Sequence, residues 1–189
     1  YQNIIGLNFT SEGADRWLAD AWRGRGNALA KLGDYNESIE AFDKAIELSA
    51  ERAPYAWTEK GDALLASGRY DEAIKSYDRA LELFPENADA GIARAYKGRG
   101  DALARAGRGD DALAAYSAAV KAMDGAISAF DNATPLDRAI SFTFDPYPLD
   151  QNFWTDGGSV LSVIGEKEEA IQAYERALEM TNRSILQNP

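Results

Sequence analysis

Residues 57–81, WTEKGDALLASGRYDEAIKSYDRAL, decide the fold. Counted from Trp57, the landmarks fall at Gly61, Leu64, Gly68, Ala73, Tyr77 and Ala80, at steps of 4, 3, 4, 5, 4 and 3. Steps of three and four trace one face of an α-helix, and the five-residue step around Gly68 crosses a turn. A first helix, A, is expected from about Tyr55 to Ala66. Gly68 ends it, because glycine enters the left-handed region without a Cβ clash. A second helix, B, is expected from Tyr70-Asp71-Glu72, where acidic side chains suit the positive end of the helix dipole. Its buried stripe would be Ala73, Ile74, Tyr77, Ala80 and Leu81.

The same landmarks occur three more times with the same steps. Upstream they are Trp22, Gly26, Leu29, Gly33, Ser38, Phe42 and Ala45. Downstream they are Tyr96, Gly100, Leu103, Gly107, Ala112, Tyr116 and Ala119, then Trp154, Gly158, Leu161, Gly165, Ala170, Tyr174 and Ala177. One helix pair cannot cover its own apolar face, so repeated pairs stack on one another. A mid-helix glycine costs about 1 kcal/mol against alanine. Glycine at Gly26, Gly61, Gly100 and Gly158 therefore points to a close crossing of helices A and B, with Trp57, Leu64 and Tyr77 filling the space beside it.

These residues resemble the tetratricopeptide repeat (TPR) family. The match is carried by Trp, Gly, Leu, Gly-Asp/Arg-Tyr, Ala, Tyr and Ala, with Pro85 after the second copy. The strings GDYNESIEAFDKAIEL and GRYDEAIKSYDRALELFP lie close to the family pattern. Arg25, Lys60 and Arg99 replace an apolar residue before the glycine, as in prokaryotic-looking members, and Gly109 and Lys167 replace the tyrosine after the turn. The resemblance implies an all-α fold, a right-handed α-solenoid of four TPR-like helix hairpins in a single domain over residues 1–189. Repeats would span about 19–52, 54–87, 93–126 and 151–184, with an irregular insertion at about 127–150. It also implies a non-catalytic protein–protein interaction scaffold.

Outside the repeats, residues 1–10 show no helical period and read as a tail. Ser11 can cap a long first helix reaching Lys31. Residues 88–92 extend the third helix A back to near Asn87, and the third helix B continues past Met123 to Phe130. Thr134-Pro135 is expected to start a short helix ending near Ile140. Residues 141–145 alternate as an extended strand does, Pro146 and Pro148 keep the chain extended, and Asp150 or Asn152 caps the last helix A. Phe142, Phe144 and Tyr147 either cover the third copy, serve a function, or fill the groove.

Net charge is −11, which argues against nucleic acid and anionic membrane surfaces as partners. No apolar run reaches the roughly 18 residues of a membrane-spanning helix. With no cysteine and no histidine, the chain has no disulfide, no thiolate metal site and none of the commonest general base. Asp110-Asp111 and Glu168-Glu169 sit at helix starts, and Gly24-Arg25-Gly26 and Gly98-Arg99-Gly100 lie inside helices rather than after strands. No nucleophile–base pair or metal constellation emerges, so neither enzyme activity nor a cofactor is expected. The default setting is cytoplasmic. N-x-S/T sequons at Asn8, Asn36, Asn132 and Asn182, and a first residue other than Met, leave an extracellular or excised piece open.

By the resemblance, helix A residues facing away from helix B line a peptide-binding groove: Arg23 and Asn27, then Tyr55, Glu59 and Asp62, then Arg94, Lys97 and Asp101, and finally Asp156. Asp20, Lys31, Thr58, Arg105, Asn152, Thr155 and Ser159 share those faces. Arg23, Asn27 and Arg94 match three columns of the carboxylate clamp that some members use for chaperone tails. Glu59 in another column would repel a carboxylate, and Gly98 stands where the last Arg of the clamp should be. The partner expected is a protein or peptide segment. The alternative is a structural or self-associating module that uses the solenoid ends and the aromatic insertion, with Ile171, Tyr174, Leu178 and Ile185 on a last helix that has no following cap.

Overall fold

The computed structural model describes residues 11–84, 89–132, 155, 158–159, 161–163, 165, 167–168, 170–175 and 177–178. Six helices are described in full: α1 (Ser11–Leu32), α2 (Tyr35–Leu48), α3 (Ala53–Ala66), α4 (Tyr70–Leu83), α5 (Asp89–Arg105) and α6 (Gly109–Asn132). Among the described residues there is no strand. The chain falls into two compact units, residues 1–83 and 84–189.

In the first unit α1 packs on α2, α2 on α3 and α3 on α4, with a smaller contact between α1 and α3. Helix α3 starts two residues ahead of the expected position, because Pro54 occupies its first turn, where a missing N–H costs nothing. In the second unit α5 packs on α6, which runs beyond residue 130 as its apolar period requires. The fourth copy follows the same plan: Leu161, Ala170, Ala173 and Ala177 form a buried cluster, with Val120 of α6 against it. The expected short helix and extended segment at 134–148 lie outside the described residues.

Each hairpin closes in the same way. Gly33, Gly68, Gly107 and Gly165 have φ of 88°, 81°, 78° and 95°. At Gly68 the amide reaches the Leu65 carbonyl at 3.1 Å and the next amide, of Arg69, reaches Leu64 at 2.9 Å. These bonds satisfy carbonyls that the helix end would orphan, and they require the left-handed residue between them.

The interhelical glycines are contact points. A Cβ built on Gly26 would lie 2.7 Å from the Phe42 ring, and one on Gly61 2.7 Å from Tyr77. On Gly100 it would lie 2.5 Å from Tyr116, and on Gly158 2.8 Å from Tyr174. The aromatic ring of helix B therefore lies directly on the backbone of helix A. Phe42, Tyr77 and Leu64 are almost wholly buried, each burial contributing about 1.5–3 kcal/mol. Gly91, in the inserted stretch, takes the Phe84 ring in the same way, at 2.6 Å. Successive pairs in the first unit meet through alanines: Ala19, Ala45 and Ala56 form one cluster, flanked by Trp22, Ile46 and Leu48.

Candidate functional site: the helix A faces

Helices α1 and α3 are the two A helices of the first unit, and their shared face is built around the buried guanidinium of Arg23. Arg23 is 8% exposed. Its Nε and Nη2 donate to the two oxygens of Glu59 at 2.9 and 2.7 Å. Its Nη1 donates to Asp20 at 3.1 Å, and its guanidinium lies 5.6 Å from the Tyr55 ring centroid. Glu59 is itself buried. A fork-to-fork pair of this kind is short, directional and strong in a dry setting. Arg52, also buried, brings its Nε to 3.5 Å from Asp20. Arg23 and Glu59 thus brace α1 against α3. Their charges cancel within the fold, and the repulsion expected from Glu59 toward a carboxylate is neutralised together with the attraction expected from Arg23.

Asn27, Tyr55 and Asp62 are half-buried on this face. Asp62 accepts a 2.7 Å hydrogen bond from the Tyr77 hydroxyl, linking helices A and B. Thr58 is fully buried, donates to the Pro54 carbonyl at 3.0 Å and so lines no surface.

In the second unit, Asp101 accepts the Tyr116 hydroxyl at 2.8 Å and the Lys97 ammonium at 3.1 Å. Lys97 is half-buried and Arg94 exposed, both on α5. Thr155 and Ser159 are exposed, while Asp156 and Asn152 lie outside the described residues. Among the described residues no three His, Cys, Asp or Glu side chains could hold a metal ion. No described helix is long and apolar enough to cross a membrane.

The Tyr–Asp bond is a repeated device. It joins Asp62 to Tyr77 and Asp101 to Tyr116, each over 15 residues. In the first copy both members change together, to Asn27 and Phe42, so no phenol is left without its acceptor. There Ser38 ties the two helices instead, donating to the Gly26 carbonyl at 2.8 Å. Burial, and then the hydrogen bond to Asp101, push the Tyr116 phenol well above its ordinary 10.0. The folded value exceeds the unfolded one, so this stabilisation is complete below about pH 10 and is lost as pH rises beyond it. Thermal melts of the wild-type chain should fall more steeply above pH 10 than those of Tyr116→Phe. At neutral pH Tyr116→Phe should lose about 1 kcal/mol with the hydrogen bond.

The sequence reading missed Arg52, Ser38 and the closure of Arg23 on Glu59. A signal existed for the last: opposite charges in adjacent columns of successive A helices, 36 residues apart.

Short hairpins with a glycine–aromatic crossing, joined through alanines, define a helical-repeat protein of the α-solenoid class. The chain belongs to the tetratricopeptide repeat family: models of that repeat match residues 14–56, 23–88 and 58–129, and another matches 157–183. Among solved structures it is similar to a TPR-like protein from Chlorobium tepidum, at 17% identity and TM-score 0.52, covering 88% of this chain and 98% of that one. It is also similar to the TPR2AB domain of yeast Sti1 in complex with pHSP90, at 19% identity and TM-score 0.51, covering 87% and 78%. A third is the first TPR of Spaghetti bound to an HSP90 peptide, at 20% identity and TM-score 0.50, covering 62% and 84%. Curated proteins give no match.

Proposed function

We propose that this chain is a non-catalytic interaction scaffold that takes an extended peptide or protein segment on its helix A faces. The observation that carries this reading is the braced pair α1 and α3. The bond between Arg23 and Glu59 fixes the two helices side by side, so Asn27, Tyr55 and Asp62 sit on a rigid platform rather than on mobile side chains. A preorganised face loses little entropy on binding. In the second unit Arg94, Lys97 and Asp101 offer a corresponding face on α5. Two of the similar structures are complexes with HSP90 or an HSP90 peptide. We carry over the kind of ligand, a peptide, and not HSP90 itself, because Arg23 and Glu59 are committed to each other. An amide-rich, weakly charged segment suits Asn27 and the Tyr55 ring better than a free carboxylate does.

The test is a peptide selected from a random display library against the chain and then titrated calorimetrically. Asn27→Ala, Arg94→Ala and Lys97→Ala combined should weaken it about tenfold or more, a loss of about 1.4 kcal/mol. Lys75→Ala, at an exposed site on α4, should leave the affinity unchanged. Equal affinities for all three proteins would exclude the helix A faces as the binding surface.

A further inference from the structure

The first hairpin departs from the repeat pattern at two positions that stand two residues apart. At the start of helix B the other copies hold Asp71, Asp110 and Glu168, all exposed. An acid there suits the positive end of the helix dipole. The first copy holds Asn36 in that column, equally exposed but uncharged. Two residues on, the other copies hold Ala73, Ala112 and Ala170, and the first holds Ser38. The exchange to Ser38 has a structural account, because its buried hydroxyl donates to the Gly26 carbonyl at 2.8 Å. The exchange to Asn36 has none of that kind. Asp34 is the N-cap of α2, and no side-chain capping bond is made there.

Together the two exchanges write Asn36-Glu37-Ser38, an acceptor sequence for N-linked sugar. It is one of several. The chain has nine asparagines, and 17 of its 189 residues are Ser or Thr. Random placement would put about one of the nine two residues before a hydroxyl, yet Asn8, Asn36, Asn132 and Asn182 all stand there. Asn132 is the last residue of α6. Asn27, half-buried on the helix A face, is not among the four. The absence of cysteine means that an oxidising compartment imposes no disulfide chemistry on this fold.

We propose that Asn36 carries an N-linked glycan, attached outside the cytoplasm while this stretch of chain is still unfolded. The donor is an oligosaccharide carried on a lipid phosphate. The Asn36 amide nitrogen bonds to C1 of the first sugar and gives its proton to a base of the transferase. The bond between C1 and the phosphate oxygen breaks, and the lipid phosphate leaves with the electron pair. Order matters because folding seals the sequon: Ser38 becomes buried and its hydroxyl is committed to Gly26. Asn36 stays exposed, so the folded hairpin accommodates the sugar it already bears. The glycan sits on a B helix and is independent of peptide binding on the helix A faces.

Mass spectrometry of the chain recovered from the cells that make it reads the modification. Trypsin cuts after Lys31 and Lys44 and releases residues 32–44, with Asn36 as the one asparagine. This peptide should carry one glycan. Ser38→Ala, expressed in the same cells, keeps Asn36 and takes the residue used by the other three copies, so its hairpin folds; its peptide should carry no sugar. Intact chain made without sugar, folded, and then incubated with membranes of those cells and lipid-linked donor should stay unmodified. An Asn36 peptide of bare mass overturns the proposal, whatever is attached at Asn8, Asn132 or Asn182. So does sugar on Asn36 that persists in Ser38→Ala, or transfer to Asn36 in the folded chain.

Discussion

Gly100→Leu should lower the melting temperature by roughly 2–12 °C. The cause is geometric. A Cβ at this position would lie 2.5 Å from the Tyr116 ring, inside any tolerated contact, and the ring is 6% exposed with little room to retreat. Overpacking of this kind costs about 1–3 kcal/mol, and displacing the ring would also strain the phenol's hydrogen bond to Asp101. Gly24 provides the control. It lies two residues before Gly26 in α1, is exposed, and a Cβ there would meet nothing within 4 Å. Gly24→Ala should therefore stabilise the chain by up to about 1 kcal/mol through helix propensity alone. Two helix A glycines that stand two columns apart in the repeat thus have opposite expected signs. A Gly100→Leu chain that melts with wild type would end the assignment of this column to the helix crossing.

Arg23→Ala should be the most damaging single change in the first unit. It leaves Glu59, whose side chain is 6% exposed, without the guanidinium that neutralises it. Removing one partner of a buried ion pair costs about 3–5 kcal/mol, mostly from the stranded charge. Replacing both partners, as Arg23→Met with Glu59→Leu, should recover most of that loss, since an apolar pair of similar volume needs no compensation. Urea unfolding of Arg23→Met, Glu59→Leu and the double variant separates coupling from desolvation. Arg23→Ala within about 0.5 kcal/mol of wild type would show that the pair is solvated and braces nothing.

The hairpins were legible in the sequence because their determinants are local. Left-handed glycine, helical spacing and the glycine–aromatic crossing all fall within 25 residues, as in Trp57 to Leu81. The long first helix and the extended α6 were legible for the same reason, through an unbroken apolar period. The helix A face was less so. Arg23 and Glu59 read as ligand-binding charges when considered singly, and only the juxtaposition of α1 and α3 makes them partners. Asp62 and Asp101 were likewise assigned to the groove, while the structure has them accepting from Tyr77 and Tyr116. The matched change to Asn27 and Phe42 was visible in the sequence, but its meaning depends on which atoms face one another. Thr58 illustrates the limit of column arithmetic, since its hydroxyl turns back to the Pro54 carbonyl.

The four left-handed glycines carry a consequence for how such a chain changes length. Every hairpin sets its own geometry at its own turn, and its internal spacing is invariant across all four copies. The distances between copies are not: 35 residues separate Trp22 from Trp57, 39 separate Trp57 from Tyr96, and 58 separate Tyr96 from Trp154. Genetic gain or loss of sequence is thus absorbed at the joints, while the hairpin is inherited whole, the smallest piece that duplication can copy without scrambling what lies on either side.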